Sequence, residues 1–432
     1  MNGFPILLVL GLVPLAGSVA VAVLPAGRDL LAKQLTLAFS LATLALTIGV
    51  WVAFDAGSSQ RFQFATSYEW IRSFGTSFAL GVDGIALVLI ALVAVLVPAV
   101  VVASWDDADR RVDSMAVSTA GERATAAPRA AVTRTGASAA GTTVAGRPST
   151  AVLDRPADDS DRDIVEAADE VLDEGPGPAG PRVPGTRRGQ PKTFFALLLL
   201  LEVMMIWVFA ATDVFLFYVF FEAMLVPMYF LIGSFGGPQR QYAAVKFFLY
   251  SLLGGLLMLA AVIGLYFATS ERTFSFDKLV AGQIDPGLQK WLFLGFFVAF
   301  AIKAPLVPFH TWLPDAGAEA PVGGAALLVG VLDKAGTFGF IRYCLPLFPD
   351  ASRYFAPLVL ILAVAGILYA SLLAMGQKDM KRSIAAHYVG PLIEEERHHH
   401  RRRRQQAWDA VLPVERVLRR VCRSRRGLPR RR

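Results

Sequence analysis

The chain has 432 residues, of which 55% are hydrophobic and 18% are charged. Soluble globular chains carry about 25% charged residues, whereas this chain repeats apolar runs of about 20 residues, the length that crosses a bilayer. The composition therefore excludes an ordinary soluble domain and predicts an all-α, polytopic transmembrane helix bundle. The net charge of +7 does not indicate nucleic-acid binding, because the basic excess is confined to the last segment of the chain.

Cysteine usage and motif content exclude several kinds of cofactor site. The two cysteines, Cys344 and Cys422, are far apart and offer neither a metal-ligand spacing nor a disulfide framework. The sequence has no glycine-rich strand-to-helix fingerprint and no P-loop, the motifs that bind dinucleotides and ATP. We therefore expect no metal and no cofactor in this chain.

Residues 1–104 predict three transmembrane helices. No basic residue precedes Phe4, so a cleavable signal peptide is the less favoured interpretation of the first run. Arg28 and Lys33 flank the first connection, which places it in the cytoplasm and the N-terminus outside. The three spans are expected at about residues 4–24, 32–54 and 80–104.

Two features are expected on the outer side of this first region. Residues 55–80 mix polar and aromatic side chains and predict an interfacial loop. Asp83 lies at the outer end of the third span, where a carboxylate still reaches water, so we expect it to be hydrated.

Two further segments do not resemble membrane spans. Residues 105–191 are rich in small and polar residues and bury too little apolar surface to offset their ordering entropy. We interpret them as a disordered cytoplasmic loop or an aberrant insertion, because so long a loop is unusual in a compact bundle. Residues 381–432 are basic, and we interpret them as a non-native tail from a shifted reading frame. An electrostatic lipid anchor is the alternative for this tail.

Residues 192–380 predict a six-helix core, which brings the total to about nine spans. One of the six is interrupted by proline, and the loops on the inner side carry basic residues. The core spans are expected at about residues 194–212, 214–233, 241–267, 291–303, 322–345 and 355–375.

The interrupted span contains the most informative stretch of the chain, Ala301–Asp315. Lys303 lies where a spanning helix is normally hydrocarbon, at a cost of about 3 kcal/mol on insertion scales. Pro305 and Pro308 follow, and each removes a backbone donor. A broken helix at membrane depth is tolerated only where protein or water satisfies the freed carbonyl groups. Lys303 is therefore a candidate functional residue.

Four ionisable residues lie well inside apolar spans. Charged groups there usually face the bundle interior and pair with one another. No other charge lies within two turns of Glu222, so we expect it to pair with Lys303 and to load or release a proton as their separation changes. A set of structural salt bridges is the alternative. The four residues are Glu202, Glu222, Lys303 and Lys334.

Three neighbouring residues are open to more than one interpretation. Asp333 either neutralises the adjacent Lys334 or faces elsewhere, because successive helix residues point about 100° apart. His310 is either a proton relay near neutral pH or a loop-bonded surface histidine. Lys246 is expected to extend to the inner surface.

Five short motifs together resemble one family, the antiporter-like membrane subunit M (chain 4 type) of NADH–quinone oxidoreductase, respiratory complex I. The resemblance is loose over residues 1–104 and strong over 192–382. The motifs are Phe221-Glu-Ala-Met-Leu-Val-Pro-Met-Tyr-Phe-Leu-Ile, Lys246-Phe-Phe-Leu-Tyr, Lys303-Ala-Pro, His310-Thr-Trp-Leu-Pro-Asp-Ala and Lys334-Ala-Gly-Thr-Phe-Gly.

The resemblance implies a proton-translocating subunit in the membrane arm of a respiratory enzyme. Glu222, Lys303 and Lys334 match the family's proton-translocating residues, while His310 and Glu202 are further relay candidates outside that set. NADH, flavin, iron–sulfur clusters and quinone would be held by other subunits. The implied partners are the antiporter-like subunits of L and N type and the lipid bilayer of a bacterial plasma membrane.

The resemblance implies about fourteen spans and a continuation past Lys381-Arg382 with an exit half-channel, whose motif is not found in the residues that follow here. Two alternatives to a pumping subunit therefore stay open. One is a subunit of a multi-subunit cation/proton antiporter, and the other is a truncated, non-pumping product.

Overall fold

The structure is a computed structural model that describes residues 5–105, 191–282 and 284–376. The interpretation of residues 105–191 as disordered concerns a segment that lies almost wholly outside the described residues. The interpretation of residues 381–432 as a non-native tail also lies outside them.

The described part of the chain is mainly helical, because long apolar runs satisfy their own backbone hydrogen bonds only as helices or closed barrels in lipid. Proline or an acidic N-cap residue begins several of the helices. The helices are α1 (Ile6–Val23), α2 (Asp29–Ala53), α3 (Gly84–Ala103), α4 (Pro191–Ala210), α5 (Val214–Ala223), α6 (Leu225–Phe235), α7 (Arg240–Ala268), α8 (Phe276–Ala281), α9 (Pro286–Lys303), α10 (Trp312–Glu319), α11 (Val322–Leu327), α12 (Asp333–Gly339), α13 (Leu345–Leu347) and α14 (Pro349–Gly376).

Eight helical segments of the described residues are long and apolar enough to cross a membrane. The predicted all-α transmembrane fold is thereby confirmed. The predicted broken span corresponds to α9, which is not among the eight because Gln289, Lys290 and Lys303 make it more polar. The span over 322–347 is not one regular helix, since π-helical turns at Leu328–Leu332 and Phe340–Cys344 flank α12.

Part of the expected outer loop is instead a β-hairpin. Strand β1 (Gln63–Ile71) pairs antiparallel with β2 (Thr76–Val82). Gly75 closes the hairpin with a φ of 63°, a left-handed conformation that glycine adopts without steric cost. Aromatic and β-branched residues in this stretch favour strands. An interfacial loop was expected over residues 55–80, but the two strands were not predicted, and α3 begins after the hairpin at Gly84.

Helix α4 lies at the centre of the bundle. It packs against α1, α2, α3, α5 and α6. Most of its residues are buried, whereas few of those of α14 are. The large apolar side chains that α14 leaves exposed are suited to contact with lipid. Glu202, on α4, is thus enclosed by protein.

Candidate functional site

The proline-broken end of α9 is closed by two replacement hydrogen bonds. The backbone N–H of Leu306 donates to the Ala301 carbonyl at 2.8 Å, and the Trp312 indole Nε1 donates to the Ile302 carbonyl at 2.8 Å. Both carbonyl groups lie in the last turn of α9, where proline has removed a donor. Protein groups therefore satisfy the break, as the sequence argument requires, and Lys303 is held at the end of the helix.

The indole hydrogen bond provides a test of this arrangement. Trp312 is fully buried, so Trp312→Phe leaves the Ile302 carbonyl unpaired in the interior. We expect a loss of stability of about 1–3 kcal/mol, the cost of an unsatisfied buried polar group. The midpoint of thermal unfolding of the purified chain in detergent measures it. Trp291→Phe is the control, because Trp291 is 74% exposed; equal midpoints for the two variants would contradict the expectation.

Lys303 lies in an aromatic environment with no neutralising contact. Its side chain is 2% exposed, and its Nζ has no hydrogen-bond partner among the described residues. The Nζ atom is 4.8 Å from the ring centroid of Phe221 and 6.0 Å from that of Phe247. Both distances fall within the range of cation–π attraction. The ammonium group is therefore held by ring faces and by more distant charges.

Glu222 faces Lys303 without touching it. Its Oε1 is buried and has no hydrogen-bond partner in the described part of the chain. The carboxylate lies within electrostatic range of Lys303 and of Tyr218, one turn earlier on α5. On its other side it packs so closely on Gly255 of α7 that a Cβ there would overlap it. Glu222 and Lys303 are therefore neighbours, as expected, but their charged groups are not in direct contact.

Asp333 is an acidic neighbour of both Lys303 and Lys334. Its buried carboxylate has no hydrogen-bond partner within the described ranges, and it lies within electrostatic range of both Lys303 and Lys334. Helix α12 approaches α9 closely, because a Cβ at Gly336 would lie 2.6 Å from the backbone nitrogen of Ala304. Both interpretations of Asp333 stay open, and the structure adds Lys303 as a second basic neighbour of its carboxylate. Lys334 itself is partly exposed.

The segment after the break is fixed to α7 by polar contacts. Lys246 forms an ion pair with Asp315 at 2.7 Å, and the hydroxyl of Thr311 donates to that of Tyr250 at 2.9 Å. The ion pair with Asp315 gives Lys246 a partner within the protein, and its side chain stays 20% exposed, so its extension to the inner surface stays a prediction. Most of the motif that follows His310 therefore anchors the broken helix.

His310 lies in the connection between α9 and α10. Its ring meets that of Tyr369 edge to face, with centroids 4.9 Å apart, and its Nδ1 is buried without a hydrogen-bond partner in the described residues. Burial, and then the positive charge of Lys246, lower the pKa of His310 below its ordinary value. The imidazole is therefore neutral at neutral pH. Its unpaired Nδ1 leaves the relay interpretation open.

Glu202 lies apart from this group of charges. It is fully buried on α4, and neither carboxylate oxygen has a hydrogen-bond partner among the described residues. Among the described residues, Glu202 has no contact with Glu222 or Lys303. It remains a candidate on the strength of its burial alone.

The sequence argument missed a buried ion pair on α3. Arg342 Nη1 lies 2.9 Å from Asp83 Oδ2, and Nη2 donates to Asp83 Oδ1 at 3.1 Å. Asp83 was expected to be hydrated, but its side chain is only 23% exposed. The two residues are 259 positions apart, so no local signal predicts the pair. No group of three or more potential metal ligands occurs in the part of the chain that the structure describes.

The chain is similar in sequence to membrane subunits of respiratory enzymes from other organisms. The chain is 44% identical over 396 residues to "NADH-quinone oxidoreductase subunit M" of Mycobacterium tuberculosis, covering 89% of this chain and 62% of the relative. It is 31% identical over 380 residues to "NADH-ubiquinone oxidoreductase chain 4" of Chondrus crispus, covering 88% and 61%. The chain thus spans about three fifths of the length of these relatives.

A solved structure has the same fold. "Respiratory complex I from Thermus thermophilus with bound NADH" contains a chain that superposes with a TM-score of 0.64 at 24% identity, over 90% of this chain and 63% of that one. The family described as "NADH:quinone oxidoreductase/Mrp antiporter, TM" matches residues 211–390, which contain Glu222, Lys303 and Lys334. Over most of its length the chain is therefore similar to the membrane subunits named NADH-quinone oxidoreductase subunit M and NADH-ubiquinone oxidoreductase chain 4.

Proposed function

We propose that this chain is a membrane-arm subunit of a proton-pumping NADH–quinone oxidoreductase and translocates protons through Glu222, Lys303 and Lys334. The energy comes from quinone reduction elsewhere in the complex. NADH, flavin, iron–sulfur clusters and quinone belong to other subunits, because this sequence carries no nucleotide-binding fingerprint. Antiporter-like subunits of L and N type are the proposed neighbours, in a bacterial plasma membrane with the N-terminus outside.

The observation that carries the proposal is the environment of Lys303. A buried lysine without a hydrogen-bond partner lies at a broken helix end, within electrostatic range of two acidic residues, Glu222 and Asp333. Ionisable groups held in this way inside a membrane domain are costly and mark proton or ion paths. A purely structural pair would be expected to close into direct contact, which this one does not.

The proposed mechanism depends on the separation of Glu222 and Lys303. When the carboxylate approaches the ammonium group, each charge compensates the other and Lys303 holds its proton. When they move apart, the lysine keeps its ring contacts with Phe221 and Phe247 and the influence of Asp333, and it holds the proton less tightly. The carboxylate of Asp333, which is within electrostatic range of both Lys303 and Lys334, is then the proposed acceptor of the proton. His310 and Glu202 are further relay candidates in the proposal.

Glu222→Gln tests the proposal most directly. Glutamine keeps the shape of the side chain but cannot compensate the charge of Lys303 as it approaches. We expect NADH-driven proton translocation in membranes carrying the assembled complex to fall at least about a hundredfold, the lower end of the range for a positioned proton-transfer group. Glu271→Gln is the matched control, because Glu271 forms an exposed ion pair with Lys278. Undiminished translocation by assembled Glu222→Gln complexes would remove the proposal.

A cation/proton antiporter subunit is the second candidate. The matched family includes Mrp antiporter subunits by its description, and a chain in "Structure of Mrp complex from Dietzia sp. DQ12-45-1b" superposes with a TM-score of 0.59 at 18% identity. Dissipation of a pH gradient that depends on an added cation and proceeds without NADH supports this candidate. Translocation that requires NADH and quinone supports the first.

A further inference from the structure

The glycine pair in the middle of α7 divides its contacts between two partners. Gly254 faces α9, where a Cβ would lie 3.1 Å from Ala299 Cα and 3.1 Å from Ile302 Cδ1. Gly255 faces α5, where a Cβ would overlap both oxygens and the carboxyl carbon of Glu222. Neighbouring helix residues point about 100° apart, so the two adjacent glycines contact two different helices, α9 and α5. Gly254 permits helix packing, whereas Gly255 makes room for a functional side chain.

We propose that Gly255 is a positioning residue, which sets the distance between the Glu222 carboxylate and Lys303 by leaving the space that the carboxylate occupies. The inference rests on the proposed function of Glu222 and deepens it. Glu222 is flanked by Tyr218 on its own helix and by Lys303 on α9. The bare backbone at Gly255 forms a further wall and carries no charge.

A methyl group at Gly255 would move the carboxylate rather than the helices. The three atoms nearest to such a methyl group all belong to the flexible end of the Glu222 side chain, so this side chain takes the closest overlap. Alanine also favours helix more than glycine does, so Gly255→Ala does not weaken α7 itself. The substitution therefore changes the position of Glu222 while keeping its chemistry.

The test uses the assembled complex in native membranes. We expect Gly255→Ala to lower NADH-driven proton translocation about tenfold, since misplacing a reacting group by about 1 Å can cost a hundredfold. We also expect a changed pH profile of translocation. Gly264→Ala is the matched control on the same helix, because its Cβ would meet only Leu292 of α9, at 2.7 Å, and it should translocate protons as the unaltered chain does.

Rescue by a shorter side chain distinguishes positioning from packing. Glu222→Asp withdraws the carboxylate by one methylene and makes room for the added methyl group. We expect the double variant, Gly255→Ala with Glu222→Asp, to translocate protons faster than Gly255→Ala alone, a non-additive result typical of residues in contact. Unchanged translocation by Gly255→Ala, equal loss in Gly264→Ala, or absence of rescue would each overturn the inference.

A spectroscopic measurement separates the inference from the proposed function. The infrared band of the Glu222 carboxyl group is identified by its loss in Glu222→Gln. We expect this band to shift in Gly255→Ala and to stay in place in Gly264→Ala. If Glu222→Gln pumps normally, the proposed function fails whatever the band does. If Glu222→Gln stops pumping and the band is unmoved in Gly255→Ala, only the role of Gly255 fails.

Discussion

Lys303→Arg is expected to abolish NADH-driven proton translocation although it keeps a positive charge at the end of α9. A guanidinium group does not lose its proton in proteins, whereas the proposed mechanism requires Lys303 to release one. Arginine also lies well over aromatic rings, so Phe221 and Phe247 can accept it where they now hold the lysine. We therefore expect translocation to fall to the background rate, a loss of at least about a hundredfold, the lower end of the range for a positioned proton-transfer group.

Two comparisons make this result specific. Lys290→Arg, on the same helix, is the control, because Lys290 lies over the ring of Tyr354 with its Nζ 4.1 Å from the centroid and has no proposed role in proton transfer. Lys303→Met removes the charge and is expected to be as inactive as Lys303→Arg. Normal pumping by Lys303→Arg together with a loss in Lys303→Met would mean that Lys303 acts only as a fixed charge.

The main features of this site were predictable from the sequence because each is recognisable from its immediate sequence neighbours. A charged residue inside a long apolar run stands out, and so does proline at the end of one. Glu222 and Lys303 were found in this way, and the structure brings them within electrostatic range. The helices follow from the same runs, because in lipid an apolar segment has few alternatives to a helix.

Contacts between distant segments were not predictable, because no local pattern encodes them. Lys246 gives no sign in its own neighbourhood that Asp315, 69 residues later, is its partner. Gly255 looks like any small residue in a spanning helix until the carboxylate of Glu222 is placed against it. Asp333 was noticed but left with two interpretations, since its direction depends on how α12 packs against α9.

The hairpin over residues 63–82 shows a different kind of failure. Strand β1 is mostly exposed and β2 has no exposed residue, so neither shows the strict alternation that marks a half-buried strand. Strand propensity depends strongly on such context, and the polar residues of the stretch suggested a loop. The consequence reached further than secondary structure, because the end of this hairpin presents Asp83 to Arg342.

Arg342→Leu is therefore expected to have the largest effect on stability. The Arg342 side chain is 4% exposed, and its guanidinium carbon lies 4.7 Å from the ring centroid of Phe62 and 5.1 Å from that of Phe338. Removing it leaves Asp83 charged and largely enclosed, and breaking a buried pair in this way costs about 3–5 kcal/mol. The midpoint of unfolding of the purified chain, in detergent with increasing denaturant, measures the loss.

Neutralising the partner should recover part of this loss. Asp83→Asn keeps the cap on α3, where the side chain now accepts a hydrogen bond from the Ala86 N–H at 2.9 Å, because asparagine is also a favoured N-cap. We expect the double variant, Asp83→Asn with Arg342→Leu, to unfold at a higher denaturant concentration than Arg342→Leu alone, because it encloses no unpaired charge. Arg72→Leu, which breaks the exposed pair with Glu69, should cost no more than about 1 kcal/mol. If Arg342→Leu costs no more than Arg72→Leu, the ion pair does not hold α3 to the segment that follows α12.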